Sequence, residues 1–415
     1  MSFVPLFLFV WLGLAPPGAS GDWPQFLGPT RNGVYDGPPL VASDKPSEPL
    51  VLWRRPVGQG YAGPAVVGSK LILFHRVGDE EVVECIDRRT GITFWKSSYP
   101  TAYRDSFGFD EGPRATPTIA GEYVYTYGAE GTLSCWQLKD GTRVWQVRCQ
   151  ERWRIPPSFF GAATSPLVVG DLLLLNVGGR PNAGIVAFDR KTGKVKWTAT
   201  DHEASYSSPV SARVGGRLLA FFFTREGFVA LRPESGTIVH QLHWRSRFNA
   251  SVNAATPLVV GNRVFLSACY GTGATVLELS EQGLKQLWQS DESLSNHYAT
   301  SIYYRGYLYG FHGRQEYGPE LRCVRFDTGE VMWSQGGLGA GTVLRAGEVL
   351  VVTSERGDVW LAALTPEAWR PLLRFRPLGP TVRAYPALAH GCMFLRNNEE
   401  LVALRFSDEL VQRAD

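Results

Sequence analysis

Several stretches of this chain gather side chains able to bind charge or move a proton. Asp110, Glu111 and Arg114 stand together after a run of aromatic residues, His202 and Glu203 precede Tyr206, Asn253 lies among small residues, His297 is followed by Tyr298, and Arg383 comes much later. Brought together, carboxylate, imidazole, guanidinium and phenol would bind a small anionic or polyhydroxylated ligand, with Arg114 and Arg383 as charge-assisted donors and aromatic rings as walls. A hydride-transfer or hydrolytic role would instead need Asp110, Glu111 or Glu203 as a base beside a cofactor or water. The plainer alternative is that these residues only solvate a channel mouth or bond to neighbouring loops. No metal site is expected, because His202 and Glu203 have no further ligands at a recognisable spacing. No catalytic residue can be assigned.

Residues this far apart meet only if the fold returns them to one place, and the sequence contains a repeat that would do so. An apolar run, a turn closed by Gly and a Trp four residues later recur as Asp87–Gly91 with Trp95, Lys139–Gly141 with Trp145, Asp189–Gly193 with Trp197, and Asp327–Gly329 with Trp333. A period of roughly 40 to 52 residues marks one supersecondary unit copied many times. Each unit starts at a Pro or small residue: Gly63-Pro64, Thr116-Pro117, Ser165-Pro166, Ser208-Pro209, Thr256-Pro257, Thr300-Ser301, Gly341-Thr342 and Tyr385-Pro386. Short β-rich runs follow with no helical period between them, so each unit reads as a four-stranded antiparallel sheet and the whole as an all-β, eight-bladed propeller.

The last unit lacks a fourth strand, while Pro49–Arg54, carrying Trp53, is a lone strand before the first; it is expected to complete the last blade and close the ring. Trp53, Trp95, Trp145, Trp197, Trp288 and Trp333 are expected to dock neighbouring blades. The phrase is weak in the fourth unit, where His240 takes the Trp position, in the fifth and in the seventh, so seven blades remain an alternative. The loops before the innermost strands would gather at one channel mouth and hold the residues named above. His75, His240, His243, His312 and His390 read as packing or surface residues. The loop from Arg314 to Glu320 is expected to project from the edge of the sixth blade as a partner contact.

Composition narrows the classes. Lys and Arg number 42 against 39 Asp and Glu, a net charge of +3, and no basic stripe suggests nucleic acid. The first 21 residues carry no charge before Asp22 and have an apolar centre too short to span a bilayer. They are expected to be a signal peptide cleaved near Ser20 or Gly21, which places the protein in the periplasm or outside the cell. An extended segment, 22–48, the propeller, 49–406, and a tail, 407–415, would follow. Cys85, Cys135 and Cys323 each precede the turn Gly by six residues, a slot that suits small apolar side chains and not disulfides.

The repeated Asp-x-x-Thr-Gly-x-x-x-Trp phrase resembles that of the quinoprotein-like (PQQ-repeat) propellers. The opening Trp23-Pro24-Gln25-Phe26-Leu27-Gly28-Pro29 is similar to a secreted bacterial branch of that superfamily, and more distantly the chain resembles the outer-membrane assembly propeller lipoprotein. WD40 repeats fit less well, because Trp here follows a Gly turn. The resemblance implies eight blades and Trp packing near the turn Gly. Quinone-dependent members carry adjacent cysteines, a calcium set and a catalytic Asp, none of which maps onto this sequence. The leading expectation is therefore a binding or scaffold propeller, more a non-enzyme than an enzyme, without a cofactor. It would be monomeric and engage a protein or small-molecule ligand at the mouth. The alternative is a PQQ- and calcium-dependent oxidoreductase of alcohols or sugars.

Overall fold

The computed structural model describes residues 21–40, 47–156, 158–249 and 251–406; the expected signal peptide, apart from Gly21, and the C-terminal tail lie outside them. Eight antiparallel sheets make the ring, each beginning at one of the expected unit starts. The first blade is Ala65–Val67, Lys70–Val77, Glu80–Asp87 and Thr93–Pro100, in that order from the channel outward. The second to seventh blades repeat the pattern. The last has the inner strands Ala387–Ala389, Cys392–Arg396 and Glu400–Arg405, and its outer strand is Leu50–Pro56, paired antiparallel with Glu400–Arg405. The ring is thus eight-bladed and closed by an N-terminal strand. Helix is confined, among the described residues, to Cys149–Arg152 and a 3-10 turn at Gln315–Tyr317, and no helix there is long and apolar enough to cross a membrane.

Alternation along each strand sends one set of side chains to the preceding blade and the other to the next. In Gly227–Leu231, Val229 and Leu231 pack with Leu174 and Ile185 of the third blade, while Phe228 and Ala230 pack with Val264 and Leu266 of the fifth. All six cysteines are buried free thiols, and Cys85, Cys135 and Cys323 lie directly opposite Trp95, Trp145 and Trp333 on the outer strands.

The Trp side chains reach across the seams. Trp95 Nε1 donates to Leu138 O at 3.1 Å, Trp145 Nε1 to Arg190 O at 3.1 Å and Trp197 Nε1 to Pro233 O at 2.8 Å, in each case the carbonyl three residues before the next blade's turn glycine. Trp53 does the same for the closing seam through Arg88 O at 3.0 Å. Burying an indole and satisfying its N–H together stabilise a seam by about 2–3 kcal/mol. The turn glycine must leave room for the ring: at Gly141, φ +74°, a methyl group would come within 2.4 Å of Trp95. Gly141→Ala should therefore cost about 2–3 kcal/mol in a urea titration, from strain plus clash. Gly121→Ala, also left-handed but with open space around it, should cost only about 1 kcal/mol.

The segment after Gly21 turns back into the ring. Trp23 exchanges backbone hydrogen bonds with Val66 on the innermost strand of the first blade, and Pro24 O accepts from Ile119 N in the second. Val34–Tyr35 adds a parallel strand inside Gly341–Ala346 of the seventh blade, and Tyr35 Oη accepts from Gly391 N in the eighth at 2.7 Å. Between them Arg31, 2% exposed, donates to Pro209 O at 2.9 Å, Ser165 O at 3.1 Å, Pro166 O, Thr118 Oγ1 at 3.2 Å and Gln25 Oε1 at 2.9 Å. One guanidinium thus ties this segment to the second, third and fourth blades. Burial with no carboxylate bonded to it pulls its pKa down to about 9.

Candidate functional site

The loops that lead into the innermost strands converge at one end of the channel around a bowl of about 430 Å³. Its floor is Phe26, from the N-terminal segment, set edge-on against Tyr385 with ring centres 5.0 Å apart. The walls differ. Loops before the second to fourth blades supply aromatic rings: Phe107 lies 5.2 Å from Phe160, which lies 5.6 Å from Tyr206. Phe107 and Phe109 remain 55% and 49% exposed, unusual for side chains of this size grouped together.

The facing wall is polar and internally paired. Arg383 Nε donates to Glu355 Oε1 at 2.8 Å, and Tyr298 Oη donates to the same oxygen at 2.8 Å. The Arg383 guanidinium also lies 5.4 Å from the ring centres of Tyr61 and Phe109, so it joins the two walls. Burial works against its charge, but Glu355, Tyr61 and Tyr298 more than restore it, and its pKa is raised. Arg114 donates to Asp105 at 2.5 Å. Arg314 pairs with Glu316 at 2.9 Å and stacks 4.7 Å over Tyr270. His297 Nε2 is 2.9 Å from Tyr270 Oη, and burial brings the pKa of this imidazole down to about 4, so it faces the bowl uncharged at neutral pH. Each guanidinium in the bowl thus has its own carboxylate, so the polar wall carries little uncompensated charge.

The residues expected from sequence divide into two groups. Arg114, Tyr206, His297, Tyr298 and Arg383 line the bowl. Asp110 is buried behind it, accepting from Gly60 N at 3.1 Å, Gly112 N at 2.7 Å and Asn398 Nδ2 at 2.9 Å, and so holds the mouth loops of the first, second and eighth blades together. Glu111 lies 3.5 Å from Arg76, outside the bowl. His202 is fixed between Thr224 Oγ1 at 2.8 Å and Gln241 Nε2 at 2.9 Å, and burial lowers its pKa. Glu203 is held by Arg180 at 3.2 Å and Arg225 at 3.1 Å. Asn253 Nδ2 donates to Thr224 O at 2.8 Å. These last five brace loops.

The loop from Arg314 to Glu320 contributes to the site beyond what the sequence led us to expect. Its first residues belong to the mouth, where Arg314 stacks on Tyr270 and Arg314, Gln315 and Glu316 are part of the wall, while Tyr317 at its tip is 77% exposed. Phe26, Tyr61 and Tyr270 were also not anticipated as site residues. Among the described residues no group of three or more His, Cys, Asp or Glu could hold a metal ion.

Residues 79–310, more than half of the chain, match the family model described as outer membrane protein assembly factor BamB. No curated protein matches. Among solved structures, BamB from Moraxella catarrhalis is similar with a TM-score of 0.63 at 15% identity, covering 87% of this chain and 99% of that one. Quinohemoprotein alcohol dehydrogenase from Comamonas testosteroni gives 0.64 at 13% identity, covering 94% and 81%. The computationally designed Ika8 protein gives 0.58 at 12%, covering 86% and 100%. Likeness at these identities shows a common ring, and a ring shared by a dehydrogenase and a designed protein fixes no activity. The family match rests on the blade sequence itself, and by it this chain belongs to the family of the outer membrane protein assembly factor BamB.

Proposed function

We propose that this protein is a binding propeller that takes an apolar, aromatic-bearing segment of a partner protein into the mouth bowl. The observation that carries the reading is the half-exposed Phe107–Phe109 pair set against a polar wall whose charges are already neutralised from within. Rigid aromatic anchors in a preformed concavity are the usual centre of protein recognition, and pre-paired charges spare the partner a desolvation cost. Family membership supports a protein partner. The uncharged N-terminal stretch supports a location in the periplasm or outside the cell.

A calcium-bound quinone fits the bowl less well. Asp105, Glu316 and Glu355 are each committed to an arginine, and the described acids and histidines do not converge on a metal position. The oxidoreductase alternative thus has the shared ring behind it and little of the site.

Panning random linear peptides on the purified chain should recover aromatic-rich sequences. Their affinity should fall about 30-fold in Phe109→Ser or Phe160→Ser, the loss of one good aromatic anchor. Peptides indifferent to both changes, or dye-linked alcohol oxidation after reconstitution with quinone and calcium, would overturn the proposal.

A further inference from the structure

The seam between the fourth and fifth blades departs from the six seams closed by an outer-strand indole in a way that leaves a second groove. On the outer strands, Trp53, Trp95, Trp145, Trp197, Trp288 and Trp333 occupy one equivalent register position beside the strand irregularity, opposite Ala403, Cys85, Cys135, Ala187, Val276 and Cys323. In the fourth blade that position, opposite Ala230, is His240. The turn that His240 faces is also different, since Ser280 pairs directly with Gly283 in a two-residue hairpin. A methyl group on Gly141, Gly193, Gly236 or Gly329 would strike the preceding blade's indole at 2.4 to 2.8 Å, whereas one on Gly283 would meet nothing within 4 Å.

Between His240 and Gly283 lies a groove of about 410 Å³ with Val214, Leu219, Val239 and Leu279 on its sides. Two arginines stand on it. Arg217 is taken by Glu281 at 2.9 Å, while Arg232 is exposed and, among the described residues, has no acid paired with it. Burial lowers the pKa of His240, which leaves a neutral ring available for stacking.

We propose that this seam binds a small planar aromatic molecule bearing a carboxylate. The ring takes the slot that an indole fills at six of the other seams, between His240 and the Gly283 turn, and the carboxylate pairs with Arg232. The internal copies argue for a planar ring, because the register position that holds an indole in six blades holds the smaller His240 here, beside an open groove. The free guanidinium at the rim argues for the negative charge.

Indole-3-acetate and uncharged indole, titrated into the full chain by calorimetry, test this. Both should bind saturably. His240→Trp, which fills the slot from within, should weaken both at least about tenfold and raise the thermal midpoint. Arg232→Gln, at an exposed position that leaves the packing intact, should weaken indole-3-acetate about tenfold and indole less than about twofold. Phe160→Ser, in the mouth bowl, should change neither. Absence of saturable binding, undiminished affinity in His240→Trp or Arg232→Gln, or loss in Phe160→Ser would overturn the proposal, the last by assigning the probe to the bowl.

Discussion

Arg31→Met is expected to remove about 3–4 kcal/mol of stability, because each buried carbonyl left without a donor costs about 1–3 kcal/mol and relaxation recovers part of the total. The Arg31 donors hold Ser165 O and Pro209 O, and share Pro166 O with Thr118 Oγ1, which stays behind, inside a ring where Met can fill volume but cannot donate. The measurement is a urea titration followed by tryptophan fluorescence, read as a fall in midpoint at unchanged slope. A loss below about 1 kcal/mol would mean that these carbonyls find other partners. The same variant should also loosen Phe26, which lies five residues earlier on the same segment and forms the floor of the bowl. Peptides selected on the wild-type mouth should then bind more weakly, although no residue of the wall has changed.

Acid should open the closing seam, and Glu84 should be the group responsible. Its side chain is 1% exposed and accepts from Arg55 Nη2 at 2.6 Å and from Thr93 Oγ1 at 2.5 Å, with Lys96 Nζ at 3.2 Å and His75 Nε2 at 3.5 Å. Arg55 belongs to the strand that completes the last blade. Burial alone would raise the Glu84 pKa, but the nearby His75 imidazole, the hydrogen bond from Thr93 and the charges of Arg55 and Lys96 outweigh it and bring it from 4.5 down to about 2. A depressed carboxyl pKa contributes stability that is present above the unfolded value and lost as pH falls through the folded one. On the order of 3 kcal/mol should therefore disappear between about pH 4.5 and pH 2, and Glu84→Gln should flatten that part of the profile while lowering stability at neutral pH.

Glu81 provides the opposite sign on the same strand. It is fully buried, and burial raises its pKa despite the neighbouring Tyr99 hydroxyl and a hydrogen bond from Ala129 N at 2.7 Å. Its contribution is complete below the unfolded value and lost as pH rises through the raised folded one.

The ring was legible because its signals are local. Each hairpin glycine, each strand start and each Trp lies within one repeat, and Trp53 before the first unit sufficed to place the closing strand. The weak units mark two boundaries, each visible from both sides. Trp of one blade packs on the turn of the next, so His240 in the fourth unit and the shortened turn at Gly283 in the fifth are the two halves of one departure. In the seventh unit the docking position is Leu373, opposite Leu361, and the next blade is the one where the two ends of the chain meet; there Phe375 packs against Phe406 at 6.0 Å.

The bowl was only half legible. Arg114 and Arg383 advertise themselves by type, but whether an acid faces a ligand or another loop depends on partners with no regular spacing. Asp110 is claimed by Asn398, and Glu203 by Arg180 and Arg225. Phe107 and Phe109, apolar residues in a loop with no strand alternation, were a clue to an exposed aromatic wall. Phe26 gave none, since nothing in the opening segment says that it returns to the channel.

That return sets an order of events during synthesis. Arg31 and Tyr35 emerge early, yet their partners at Pro209 and Gly391 emerge much later, and Leu50–Pro56 must wait for Glu400–Arg405. Contacts this distant in the chain make folding slow to complete. Trp23 and Arg31 find their partners in the first four blades, but Tyr35 and the closing strand remain unclaimed until the final blade is made, and a nascent chain halted before it would hold a row of stacked sheets with no means of becoming a ring.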